Sequence, residues 1–315
     1  MISASRVGDQ VRAVRKRPAR ARSNRGPRAG EGRWALLFLA PTLIGLAVLS
    51  AGPILATLGI SLTKWDMLTP PQLVGLDNYA NLLNDDRFLR ALGNTAFYTV
   101  VSVPLGLTLA LALATALNQR IRGIAWIRTA YFLPLVTSAT AIALVWLWIY
   151  SPTGPLNDIL AALGIPRQRW VADPTLAMPS IIAMSIWQGL PANVIIFLAG
   201  LQGIPAEYYD AASVDGAGRA SRFRRITLPL LTPSIFFTGV LALIGAFQVF
   251  DQVYVMANPG KPGQATITLV YFIYEAGFRN FKMGYAAAAS WIMFLIVAVA
   301  TILYFRTQDR WVHYQ

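Results

Sequence analysis

The sequence predicts an all-α membrane protein with six transmembrane helices and a cytoplasmic helix–turn–helix loop between spans 4 and 5. Three observations predict it. The 315 residues are 56% hydrophobic and 13% charged, with a mean hydropathy of +0.51, whereas a soluble domain carries roughly 25% charged residues. Stretches 34–63, 91–119, 129–157, 174–206, 226–250 and 283–305 contain no Asp, Glu, Lys or Arg, and each is longer than the roughly 20 apolar residues that cross a bilayer. Basic residues gather on one set of connecting loops. Hydrocarbon cannot satisfy an open strand edge, so the spans are helices.

Residues 1–33 precede the first span. They are rich in Arg, Pro, Ser and Gly and nearly free of apolar side chains, which predicts a disordered basic tail in contact with anionic lipid. The tail is too long for the charged region of a signal peptide, and the apolar run after it is too long for the core of one. A seventh uncharged run, 262–274, is 13 residues long, too short to cross, and reads as an interfacial or re-entrant piece. Pro53, Pro104, Pro134 and Pro191 lie in or near the spans and predict kinks.

Orientation follows from Lys and Arg. The tail holds ten of the 27, loop 118–128 holds Arg120, Arg122 and Arg128, loop 207–225 holds Arg219, Arg222, Arg224 and Arg225, and Arg306 and Arg310 follow the last span. These loops share one face, which is the cytoplasm by the positive-inside rule. Both termini are therefore expected there. Loops 64–90 and 158–173 carry near-balanced charge and fall outside.

Composition also excludes chemistry. There is no cysteine and the single histidine is His313, so no thiolate or His-based metal site and no histidine triad is expected. No Gly-x-x-x-x-Gly-Lys-Ser/Thr sequence occurs, so no nucleotide site is expected in this chain. The net charge of +13 speaks of membrane orientation rather than of nucleic acid. Ion-coupled secondary transporters place ionisable groups near mid-membrane. The six spans hold none, which argues against that class.

The loop after the fourth span has its own signals. Ala211 and Ala212 are small helix formers that allow close approach. Gly216 can take the left-handed conformation that ends a helix. Residues 217–225 read as a second short helix with Arg219, Arg222 and Arg225 recurring every third position. Phe223 can plug an apolar socket, and Pro229 suits the first turn of the next span. On physics alone the loop is either a rigid handle for a partner or a basic loop on lipid headgroups.

The spacing Asp210-Ala211-Ala212, three residues, Gly216, nine residues, Ile226, Thr227, Leu228-Pro229 resembles the EAA motif of the membrane permease subunits of ATP-binding-cassette importers, with Asp210 where that motif usually has Glu. The resemblance extends to the carbohydrate-uptake branch that includes the maltose and glycerol-3-phosphate permeases. It is carried by Ser61-Leu62-Thr63-Lys64-Trp65-Asp66, Val74-Gly75-Leu76-Asp77-Asn78-Tyr79, Arg128-Thr129-Ala130-Tyr131-Phe132-Leu133-Pro134, Gly154-Pro155-Leu156-Asn157 and Leu198 to Pro205. Shorter matches are Ala40-Pro41, Asn94-Thr95, Trp146, Phe250-Asp251 and Tyr254. Where the family usually has Gly-Gly-Pro after the fifth span, this chain reads Asn258-Pro259-Gly260.

The resemblance implies a permease domain over 34–310 with a short C-terminal end, 311–315, in a bacterial-type plasma membrane. Residues 207–229 would couple to a cytoplasmic ATPase dimer through Asp210, Ala211, Ala212, Asp215, Gly216, Arg219, Phe223, Ile226, Leu228 and Pro229. ATP and Mg would sit on that separate ATPase, leaving this chain non-catalytic. A second, homologous permease and an extracytoplasmic solute-binding protein would complete the importer. A sugar or oligosaccharide is the expected solute, with glycerol-3-phosphate, a glycerophosphodiester or a polyol as the alternative. Aromatic faces, amides and carboxylates suit a sugar, and polar side chains in spans usually face the interior. The pathway candidates are Trp187, Gln188, Asn193, Gln248, Asp251 and Tyr254. Trp148 and Tyr150, near a span end, read as interface anchors.

Overall fold

A computed structural model describes residues 31–119, 126, 129, 131–256 and 263–312. The expected basic tail up to residue 30, Arg120, Arg122 and Arg128, the Asn258-Pro259-Gly260 stretch and His313 lie outside the described residues. The chain divides into two units, up to Ile54 and from Leu55 onward.

The first unit carries α1 (Glu31–Leu46), which contains Pro41 and runs through a π-helical turn, Ala47–Ala51, into α2 (Gly52–Ser61). Its apolar side chains point outward: Phe38 is 78% and Leu49 77% exposed. Lipid tails solvate such a surface, which water would not.

The second unit begins within α2 at Leu55 and continues with a two-stranded hairpin, β1 (Thr63–Lys64) and β2 (Gln72–Leu73), followed by α3 (Asp77–Leu83). Then comes α4 (Asp86–Leu117), 32 residues long. Asp85 caps it, its carboxylate accepting from the N–H groups of Arg87 at 2.8 Å and Phe88 at 3.2 Å. Two of the four orphan donors of the first turn are thereby satisfied. After α5 (Ala139–Ile149) and α6 (Pro155–Ala162) come α7 (Ala177–Gln202), α8 (Ala206–Val214) and α9 (Arg219–Arg222). A π-helical turn, Phe223–Thr227, leads into α10 (Leu228–Phe247), then α11 (Asp251–Met256), α12 (Leu269–Tyr274) and α13 (Met283–Trp311).

Among the described residues, five helical runs are long and apolar enough to cross a membrane: Trp34–Ser61, Asp86–Leu117, Ala177–Gln202, Arg219–Met256 and Met283–Asp309. The stretch expected as the third span, 129–157, is not one continuous helix among the described residues. It contains a 3₁₀ turn, Leu133–Val136, the eleven-residue α5 and then α6. Pro134, expected as a kink, sits in the 3₁₀ turn, and the Ser151-Pro152-Thr153-Gly154-Pro155 sequence adds a second interruption that the lack of charge does not reveal. In the described part of the run 262–274, expected as interfacial or re-entrant, Ile267, Leu269, Tyr271 and Phe272 are buried, which leaves out the interfacial alternative. The Asn94 amide donates to the carbonyls of Gln264 and Ile267, and the Thr95 hydroxyl accepts from the Leu269 N–H. Tyr150 is buried too, donating to the Ser180 carbonyl at 3.1 Å, so it is a packing residue and not an anchor. Trp148 is 63% exposed.

Close helix approach relies on small residues, as is usual where lipid removes the hydrophobic drive between helices. A Cβ on Gly200 would lie 2.6 Å from Leu231 Cδ1 and 3.2 Å from Ser234 Cβ, so α7 and α10 touch backbone to side chain there. At the same end Phe236 of α10 stacks on Tyr304 of α13, with centroids 5.1 Å apart. At the opposite end Tyr285 donates to Asp85 and the Met283 N–H to the Trp65 carbonyl. The end of α13 therefore shares a face with the α8–α9 loop, and the β-hairpin occupies the other face.

Candidate functional site

Two regions carry the residues singled out by the sequence. The first is the α8–α9 loop. Gly216 has φ +72°, the Ala217 N–H donates to the Ala212 carbonyl at 2.8 Å and the Gly216 N–H to that of Ser213 at 3.1 Å. This is the two-bond Schellman stop in full, with glycine at its left-handed position. The second helix is shorter than the expected 217–225. Its α-helical part covers only Arg219–Arg222, and it continues through the π turn into α10 without a break.

Hydrogen bonds hold the loop shut. Tyr209 Oη and Thr227 Oγ1 are 2.9 Å apart, Arg222 donates to Ser213 Oγ at 2.9 Å, and that hydroxyl donates to the Tyr209 carbonyl at 2.6 Å. No described residue of α8 or α9 is buried, and Val214 is 88% exposed. Asp210, Ala211, Asp215, Gly216 and Arg219 are exposed, whereas Phe223, Ile226, Leu228 and Pro229 are half-buried where the helix re-enters. Sequence reasoning missed Tyr209, Ser213 and Thr227 as the staples. The arginine expected to share a face with Arg219 and Arg225 instead turns back onto Ser213. The Tyr209–Thr227 spacing of 18 residues offered no local signal.

The second region is a cavity of about 540 Å³ between α4, α7 and the α10–α11 junction. It brings together Asn193, Gln248 and Asp251 of the six pathway candidates, and adds Tyr98, Ser102, Ser185, Phe250 and Gln252. Gln188 does not line it, but its side-chain oxygen accepts from Gln252 at 3.1 Å. Trp187 lies apart, edge-to-face with Trp146 at 5.6 Å over an apolar groove. Tyr254 stacks on Phe250 with centroids 5.3 Å apart. The missed residues had a signal: Tyr98, Ser102 and Gly106, and likewise Ser185, Gly189 and Asn193, recur every fourth position, which puts each set on one helix face. Among the described residues no lysine or arginine lines the cavity. Among the described residues no group of three metal-ligating side chains occurs.

This arrangement of helices around a polar mid-span cavity, with a rigid loop at one face, defines a membrane permease. The chain matches the family model of binding-protein-dependent transport system inner membrane components over residues 102–313 and belongs to that family, whose members are permease subunits of ATP-binding-cassette importers. It is 39% identical over 283 residues to the probable ABC transporter permease protein YesP of Bacillus subtilis (strain 168), covering 88% of this chain and 91% of that one. It is 38% identical over 275 residues to the lactose transport system permease protein LacF of Rhizobium radiobacter, covering 85% and 92%. The fold matches a chain in the crystal structure of a bacterial ABC transporter involved in import of the acidic polysaccharide alginate, with a TM-score of 0.79, 24% identity and coverage of 89% and 96%.

Proposed function

We propose that this chain forms half of the translocation pathway for an uncharged sugar or oligosaccharide delivered by an extracytoplasmic solute-binding protein. The observation that carries the reading is the cavity lining. Amides (Asn193, Gln248, Gln252), hydroxyls (Tyr98, Ser102, Ser185) and one carboxylate (Asp251) face a space that also holds the Phe250 ring. Hydroxyl groups of a sugar need donors and acceptors together, and a ring covers its C–H face. A phosphate or carboxylate would call for an Arg or Lys, which the lining lacks, so a neutral saccharide is favoured over glycerol-3-phosphate or a phosphodiester. The lactose permease relative agrees with that class.

In this reading residues 207–229 are the handle on which a cytoplasmic ATPase dimer pushes. ATP and Mg act on that dimer, and this chain performs no catalysis. The stapled loop is short and rigid, as a part that transmits displacement must be, and it continues through the π turn into α10, which lines the cavity. A second permease supplies the facing half, and rigid-body movement of the halves alternates access. Residues 1–33 are a cytoplasmic tail on anionic lipid, 34–310 the permease domain and 311–315 its cytoplasmic end, in a bacterial-type inner membrane. The test is to purify the tagged chain from mild detergent, identify what accompanies it by mass spectrometry, and reconstitute the complex. An ATPase, a second permease and a binding protein should be recovered. Uptake of neutral saccharides should exceed that of glycerol-3-phosphate; the reverse preference, or recovery of the chain alone, overturns the reading.

A further inference from the structure

A polar recess lies at the other face, where the function above leaves it unused. A pocket of about 730 Å³ is walled by the β-hairpin loop, α3 and the start of α13. That size falls within the roughly 300–1,000 Å³ of small-molecule sites. Its walls are sewn together. The Asn78 amide donates to the carbonyls of Ser61 and Thr63 at 2.8 and 2.9 Å, the Met283 N–H to the Trp65 carbonyl at 2.9 Å, and Tyr285 to Asp85 at 2.7 Å.

Asn78 and Asp85 are consumed by these seams, but other lining groups are not. Trp65 presents an indole, and Asp77, Asn81, Lys64 and Lys282 have no side-chain hydrogen bond or ion pair among the described residues. Hydrogen bonds from the Thr69 N–H and hydroxyl and the Leu68 N–H hold the Asp66 carboxyl below the ordinary carboxylate range, so it stays an acceptor. The two described non-glycine residues with left-handed backbone, Met67 at φ 68° and Phe281 at φ 53°, both sit at this pocket: Phe281 lines it, and Met67 lies in the Asp66–Thr69 turn. Such conformations persist where surroundings over-determine them, and they concentrate at ligand clamps.

The ligand class follows from the mixture. Three carboxylates, Asp66, Asp77 and Asp85, disfavour an anion. Two lysines disfavour a cation. An indole face beside free amide, ammonium and carboxylate groups suits a neutral polyhydroxylated ring. We propose that this pocket is an outer saccharide subsite, holding part of the solute at the extracytoplasmic face before it enters the inner cavity. The proposal rests on the saccharide reading above and on the orientation that places the α8–α9 loop in the cytoplasm.

The experiment uses the whole importer in lipid nanodiscs, with lactose, raffinose, maltotriose and arabinotriose each carrying a photoreactive diazirine. The member of this panel that the complex transports is photolysed with it, with and without the binding protein, and labelled peptides are mapped by mass spectrometry. Labelling is expected in both 64–85 and the cavity peptides. Trp65→Ala should abolish the outer label while sparing the inner one, Trp65→Phe should retain it, and Asn193→Leu should weaken only the inner label. Inner label alone overturns the subsite and leaves the saccharide reading standing. Outer labelling that survives Trp65→Ala and Asp77→Asn together also overturns it. Outer labelling that appears only with the binding protein and is unchanged in Trp65→Ala makes the pocket part of a docking surface and overturns it as a sugar site. If no panel sugar is transported or labels either region, the subsite falls with the saccharide reading.

Discussion

The α8–α9 loop and the mid-span cavity are built on opposite plans. The loop is held by bonds within one short segment of the chain, Ala217 to Ala212 and Arg222 to Ser213, closed by the Tyr209–Thr227 pair 18 residues apart. The cavity is assembled from residues as distant as Tyr98 and Gln252, and its shape depends on how closely three helices approach. A local device can be changed by altering one backbone conformation. A device made of helix packing changes only when the packing does.

The largest expected effect comes from breaking the packing. Gly200→Leu would drive its side chain into Leu231 and Ser234. Overpacking typically costs about 1–3 kcal/mol, and here it parts α7 from α10. Folded complex should fall to a small fraction of wild type, measured by fluorescence-detected size exclusion of solubilised membranes. Pairing the change with Leu231→Ala should recover part of the loss. Breaking the loop should look different. Gly216 has no heavy atom within 4 Å of an added Cβ, so Gly216→Val strains only the backbone, by about 1–3 kcal/mol. Assembly should survive while uptake per ATP hydrolysed drops about tenfold or more; Gly216→Asn, which tolerates φ > 0, should be milder. Wild-type coupling in the valine variant would remove the basis for calling the loop a handle.

The same contrast decides what could be read from the sequence. The loop's stop at Gly216 was legible because a Schellman motif depends on a single glycine and its neighbours. The long spans were legible because their lack of charge is continuous. The 129–157 stretch was legible only in part: its lack of charge and the kink at Pro134 could be read, but not the second interruption at Ser151 to Pro155. In the cavity, Asn193, Gln248 and Asp251 were found by residue type, but Trp187 was placed there for the same reason and faces Trp146 instead. Residue type states what a side chain can bind, whereas only the packed helices state where it points. The fourfold recurrence of Tyr98-Ser102-Gly106 and Ser185-Gly189-Asn193 was the available clue to two polar faces.

A smaller effect should separate lining from packing. Asn193→Leu removes hydrogen-bonding capacity from the cavity without touching a close helix contact. One neutral hydrogen bond is worth about 0.5–1.5 kcal/mol, so uptake should fall roughly threefold to tenfold, with normal assembly and ATPase. Trp187→Leu, outside the cavity, should change uptake less. The opposite ranking would move the pathway from the cavity to the apolar groove beside Trp146.

The smallest effect tests the hairpin end, where a local cap and a long-range bond meet in one carboxylate. Burial raises the pKa of Asp85, but hydrogen bonds from Tyr285 and from the Arg87 and Phe88 N–H groups, with the Arg87 charge, outweigh it and leave the group below its ordinary value. A depressed folded pKa stabilises the protein above the unfolded value of about 3.9, and the contribution is lost as pH falls through the folded value. Asp85→Asn keeps one oxygen for the helix cap, which asparagine fills well, but cannot accept from Tyr285 in the same way. Thermal unfolding in detergent should show wild type about 1 kcal/mol more stable near neutral pH, with the gap closing below about pH 4. Tyr285→Phe should reproduce the neutral-pH loss, and the double variant should lose little more than either single one, because both remove the same bond. Additive losses would mean that Asp85 acts through the cap alone and that α13 is held to α4 by other contacts.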